Sequence, residues 1–289
     1  HRLSLLGHDV MLFEARAKLG GLNEYGLARY KTSDNFAQME IDWLLSIGGI
    51  EVRTGQVLGR DITVDSLLTA HDALFLGLGL SGVNSLGIAE PQVEGFRAAV
   101  DFIADIRQAK DLAKIPVGRS VIVIGGGMTA VDAAVQSRKL GAREVTMVYR
   151  RSPEAMSASI DEQEWAQRNG VTLRHWASPK EILTSNGVVT GVRFATTRTE
   201  NGKLVETDES FTLSADMVLS AIGQTFVAEP IGNKIALKHG RICTDDDCRT
   251  SLDRVWAGGD CRYGGLDLTV DAVAQGKRAA ISIDAALRG

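Results

Sequence analysis

Apolar positions along this chain fall into short blocks separated by glycines. Leu3, Leu5 and Leu6 before Gly7 read as the last turns of a helix, and Val10 to Phe13 is a strand-length apolar run closed by Glu14. A helical stretch from about Asp34 to Ser46 carries Phe36, Met39, Ile41, Trp43, Leu44 and Leu45, a spacing that predicts a core-facing helix. GIEVRTGQVLG reads as a strand and turn, and Ala73 to Leu76 as an apolar strand running into Gly77 and Gly79. Phe96 to Leu112 alternates apolar and charged residues at helical spacing and predicts a half-buried linking helix.

The next block is the most informative. Val121 to Ile124 is a β-branched buried strand, Gly125 to Gly127 a turn, and Thr129 to Leu140 a helix of small apolar residues stopped by Gly141. Val145 to Tyr149 is the second strand. This is a complete GxGxxA dinucleotide fingerprint in its strand, turn, helix, strand context. Gly125 makes the tight turn, Gly127 admits the pyrophosphate to the backbone, and Ala130 lets the helix pack on the strand. Where an NAD-specific unit places an acid at the end of the second strand, this chain has Arg150 and Arg151, cations suited to a 2'-phosphate, so the expected cofactor leans to NADP(H) over NAD(H). The opening block matches the back half of a second such unit, with Glu14 as the ribose-binding acid.

From Val171 the pattern turns strand-rich, predicting a small antiparallel insertion and a return to the parallel sheet at Met217 to Ala221. ALFLGLG and MVLSAIG echo one another as closing strands of two related nucleotide domains. Near the C-terminus, Val255 to Ala257 leads through Gly258 and Gly259 to Asp260, and a helix begins near Thr269.

Composition narrows the class. With 289 residues, 44% hydrophobic and 24% charged, the chain can build two ordinary globular domains, and 31 glycines against 5 prolines suit tight nucleotide turns. A net charge of -4 gives no basis for nucleic-acid binding, and no apolar run reaches the roughly 20 residues a membrane helix needs. Cys243, Cys248 and Cys261 lack CxxC spacing, and the five histidines form no HExxH or HxH group, so no metal site is expected and a reducing cytoplasm fits. The missing CxxC also argues against electron exit through a disulfide. With no starting Met or signal peptide, the N-terminus is expected to be a truncation point.

Taken together, FEARAKLGGLNEYGL, the fingerprint block through YRRS, SAIGQ and WAGGDCRYGGLDLTVDAVAQGKRAA resemble the glutamate synthase small-subunit family. The resemblance is greatest to the branch that serves as the NAD(P)H-oxidising, FAD-binding subunit of bacterial dihydropyrimidine dehydrogenase. It implies an α/β fold of two Rossmann-like domains, an FAD domain split around an inserted NAD(P)H domain, with the first FAD strand and its GxGxxG loop absent from this sequence. The implied bounds are 1–95 and 229–289 for FAD and 96–228 for NAD(P)H. Glu14 would bind the FAD ribose, Gly20, Gly21 and Leu22 would lie along its phosphates, and Val57 would contact the adenine. Lys31 would take a FAD contact usually made by Arg, Gly259 and Asp260 would hold the ribityl and pyrophosphate, and Thr269 the flavin end. Gly127, Met128, Thr129 and Ala130 would form the NAD(P)H turn, with Ala221 to Gly223 on the nicotinamide side. Ser157 departs from the family's Pro or further Arg. The implied reaction is hydride transfer from NAD(P)H to FAD, which needs stacked rings and no catalytic side chain, with electrons leaving through iron-sulfur clusters, outside this chain, to a partner subunit in a hetero-oligomer. The glutamate synthase small subunit is the alternative within the class, and a catalytically silent nucleotide-binding module the alternative outside it.

Overall fold

The computed structural model describes every residue except Asp34. The chain divides into two compact units: His1–Gly21, Asn35–Gly82 and Gln224–Gly289 form the first, and Leu22–Asp34 and Val83–Gly223 the second. The expected bounds were 95 and 228. Residues from Val83 onward join the second unit because Leu86, Ile88 and Val93 pack on its core.

The second unit is built on a five-stranded parallel sheet, ordered Phe96–Ala98, Met217–Ser220, Ser120–Ile124, Glu144–Val148 and Val171–Arg174. Its central strand is buried on both faces, which is why it reads as an unbroken apolar run. Val121 and Val123 face the helices Ala99–Gln108 and Met128–Lys139, while Ile122 and Ile124 face the other way, onto Ile182, Val192 and Phe194. Those last residues belong to an antiparallel sheet, Ala177–Ser185, Val188–Glu200 and Lys203–Ser214, the insertion expected from the strand-rich pattern. The stretch Phe96 to Leu112 is not one helix. It opens as an edge strand, becomes the helix Ala99–Gln108 and ends in a short turn at Leu112–Lys114, because Gly95, at φ +87°, turns the chain and accepts the Val218 N–H, aligning Phe96 to Ala98 beside the sheet.

Segment Leu22–Asp34 is held to this unit by polar groups. The Arg107 guanidinium donates to the carbonyls of Asn23, Glu24 and Thr32 at 2.9, 2.8 and 2.6 Å, satisfying the end of the short helix Gly21–Tyr25.

In the first unit, Val10–Glu14 pairs in parallel with Ile50–Thr54, and Leu74–Leu76 with Val255–Ala257. The long helix Thr269–Arg288 lays Ala279 and Ile283 against Trp256 and Cys248. The helix expected from Asp34 spans Phe36–Leu45; a start at Asp34 lies outside the described residues. Its apolar positions divide between two faces. Phe36, Met39 and Trp43 are 56, 60 and 70% exposed, whereas Ile41 and Leu44 share the face of the buried Ala37 and are half-buried.

Candidate functional site

The fingerprint turn of the second unit has its fold written in steric terms. Gly125 sits at φ +153°, and a Cβ there would stand 2.2 Å from the Ala221 carbonyl oxygen, so only glycine fits between two adjacent parallel strands. A Cβ on Gly126 would meet the Tyr149 ring at 2.5 Å. Gly127 caps the helix Met128–Lys139 in an extended conformation, and its carbonyl accepts from Ala130 and Val131. The N–H groups of Met128 and Thr129 are left at the helix start, where the dipole favours an anion. Ala130, fully buried, brings the helix close to the sheet.

This turn floors a cleft of about 680 Å³. The cleft brings together Gly125, Gly127, Met128, Thr129, Arg150, Ala221 and Gly223 from the sequence-based set. Ala130 lies behind the turn rather than in the wall. The two arginines separate: both are exposed, but Arg150 lines the cleft, whereas Arg151 lies outside its wall. The Arg150 carbonyl accepts from the Thr197 hydroxyl at 2.8 Å and the Arg151 carbonyl from the Trp176 N–H at 3.3 Å, so the antiparallel insertion fixes the backbone that presents the guanidinium. Gly223, at φ +96°, accepts the Asn84 N–H at 3.1 Å, while the Asn84 amide donates to the Ile222 carbonyl at 3.2 Å. Asn84, Tyr149 and Ala177 to Pro179 line the cleft without having been singled out in the sequence. Tyr149 closes the second strand of the fingerprint, whereas Asn84 and Ala177 to Pro179 lie outside it and only the folded sheet brings them to it.

The other expected cofactor residues distribute unevenly. Glu14 ends its strand and accepts the Arg16 N–H at 2.8 Å. Gly20 and Gly21 have φ of +113° and +49°. The Val57 N–H donates to the Asp61 carboxylate at 2.9 Å. Gly259, at φ +75°, donates its N–H to the Gln275 side chain at 2.8 Å, and the Gln275 amide donates in turn to Asp271 at 2.7 Å. Asp260 is half-buried; burial pushes its carboxyl above the usual range, reinforced by Asp267 and Asp271 and opposed by Arg241. Thr269 opens the long helix beside this turn. A tight glycine turn ending in a half-buried acid before a helix start fits a polyol phosphate such as the ribityl diphosphate of FAD. Leu22 and Lys31 lie in the second unit instead. The Lys31 ammonium is 2.8 Å from both Asp132 and Glu162.

The three cysteines are free, and burial raises the Cys248 and Cys261 thiols. Among the described residues no group of His, Cys, Asp or Glu is placed to hold a metal ion, and no helix is long and apolar enough to cross a membrane.

Paired nucleotide-type α/β units with a complete dinucleotide cleft define an oxidoreductase scaffold with two dinucleotide-binding domains. The chain belongs to the pyridine nucleotide-disulphide oxidoreductase family, whose model matches residues 2–276; the family binds FAD and NADP(H). It is 32% identical to the NADP(+)-dependent formate dehydrogenase subunit beta of Moorella thermoacetica, across 100% of this chain and 42% of that protein. It is 31% identical to the glutamate synthase [NADPH] small chain of Escherichia coli, across 96% of this chain and 63% of that one. The chain thus spans less than two thirds of either relative. In fold it matches the thioredoxin reductase of T. acidophilum (TM-score 0.75, 18% identity, 97% of this chain and 99% of that chain). It also matches FprA of Mycobacterium tuberculosis in complex with NADPH (TM-score 0.75, 18% identity, 96% of this chain and 77% of that chain).

Proposed function

We propose that this chain is the electron-input part of a larger oxidoreductase: it takes hydride from NADPH onto FAD and passes electrons through iron-sulfur centres to a partner subunit. The observation that carries the reading is the cleft itself, a glycine turn at a helix start with Arg150 in its wall. A nicotinamide bound there would supply the hydride that reduces FAD. The residues of this chain bind and orient. Met128 and Thr129 N–H groups take the pyrophosphate, Arg150 the 2'-phosphate, and Ala221 to Gly223 the nicotinamide side. Glu14, Gly259, Asp260 and Thr269 hold the flavin nucleotide in the first unit.

The end reaction we assign is reduction of uracil or thymine on the partner, as in bacterial dihydropyrimidine dehydrogenase, in the cytoplasm. The 31% identity to a glutamate synthase small chain supports that role as the alternative. Purification of the full-length protein with its partner tests the proposal. A visible flavin band and NADPH oxidation with an artificial acceptor are expected, and uracil or 2-oxoglutarate with glutamine as substrate distinguishes the two end reactions. Dinucleotide binding without flavin reduction would leave only a nucleotide-binding module.

A further inference from the structure

The geometry points to Ser157 as a hydroxyl donor to the dinucleotide pyrophosphate, a role that rests on the dinucleotide reading of the cleft. Ser157 lines the cleft, and its Oγ lies 3.1 Å from where a Cβ on Gly127 would stand. It therefore sits directly over the second glycine of the turn, the residue whose missing side chain lets a pyrophosphate reach the backbone. Its hydroxyl makes no hydrogen bond among the described residues, so it is free to donate to a ligand.

The loop that carries it is tied down on every side. The Ala158 N–H donates to the Gly126 carbonyl at 3.0 Å, bolting the loop across the turn. The Gln163 amide donates to the carbonyls of Pro153 and Ala158 at 3.2 and 3.0 Å, and the Tyr149 hydroxyl to the Ala155 carbonyl at 2.7 Å. Met156 and Ala158, on either side of Ser157, are buried in the core of the unit. An exposed hydroxyl between two buried neighbours, on a loop with four tethers, is held in place before any ligand arrives, and such preorganisation lowers the ordering cost of binding. Ser157 and Arg150 divide the work: Ser157 faces the glycine turn and the part of the ligand common to both dinucleotides, Arg150 the second strand end and the 2'-phosphate.

Calorimetric titration of the full chain with NAD+ and NADP+ tests this. S157A is expected to weaken both dinucleotides by the same factor, about tenfold for loss of one hydrogen bond to a charged oxygen, with thermal unfolding unchanged. S157T, which keeps the hydroxyl, is expected to restore most of the affinity. R150A is expected to weaken NADP+ alone. If S157A loses affinity for NADP+ only, or for neither ligand while R150A still acts, the pyrophosphate assignment is overturned and the cleft reading stands. If the unaltered chain binds neither dinucleotide, both fall together.

Discussion

The carboxylate of Asp132, on the fingerprint helix, accepts the Tyr30 hydroxyl at 2.9 Å and faces the Lys31 ammonium at 2.8 Å. The Asp132 side chain is 4% exposed. Burial alone would push the Lys31 pKa down, but the hydrogen bonds and attraction of Asp132 and Glu162 outweigh it and hold the ammonium above its ordinary range. Burial, then Asp132, also raises the Tyr30 phenol. Removing the acceptor strands a lysine and a tyrosine hydroxyl, so D132A is expected to cost about 3 kcal/mol in urea unfolding, and K31M less because Tyr30 still satisfies the acid. A group whose folded pKa is raised lends its stability below its unfolded pKa. The Lys31 contribution is therefore constant through neutral pH and lost only as pH rises above roughly 10.4.

The fingerprint glycines separate fold from ligand. G125A would drive a Cβ to 2.2 Å from a backbone carbonyl and is expected to destabilise the second unit by about 2 to 3 kcal/mol. The nearest atom to a Cβ on Gly127 is the Ser157 hydroxyl at 3.1 Å. G127A is therefore expected to leave the melting temperature within a few degrees while sharply reducing dinucleotide affinity. Calorimetry and thermal unfolding on both variants check the contrast.

Arg150 and Arg151 are neighbours in sequence with different surroundings. R150E is expected to lower NADPH affinity by roughly 10-fold or more, the scale of a lost charge-assisted bond, with little change for NADH. R151E is expected to have a much smaller effect, since Arg151 is outside the cleft wall. Equal losses for both dinucleotides in R150E would show that the guanidinium does not read the 2'-phosphate.

Asp260, which we propose holds the flavin nucleotide, is half-buried. Its folded pKa lies above the unfolded value of about 3.9, chiefly through burial. Such a carboxyl favours folding below that unfolded value and loses the contribution as pH rises through the folded pKa, so at pH 7 the charged form opposes folding. D260N is expected to raise the melting temperature at pH 7, with the gain vanishing toward about pH 3, and to weaken flavin binding. Thermal unfolding across pH and flavin titration measure the two effects.

The sequence by itself determined the fingerprint unit. A β-branched strand, three glycines, small helix residues and a second strand are consecutive, and each piece forms from neighbours within a few turns. The closing strands before Gly77 and Gly223 were legible for the same reason. What the tertiary structure decided depends on contacts between distant segments. Leu22 and Lys31 read as flavin contacts from the resemblance; the fold also sets the Lys31 ammonium against Asp132 and Glu162, more than 100 residues away. Phe36, Met39 and Trp43 have core spacing but face out, because periodicity marks a stripe and not what lies against it. Of two adjacent arginines only one lines the cleft, and Ser157 reaches the glycine turn only because Ala158, Gln163 and Tyr149 fold its loop back. Local pattern sets which elements form; long-range packing and hydrogen bonding set which side chains meet.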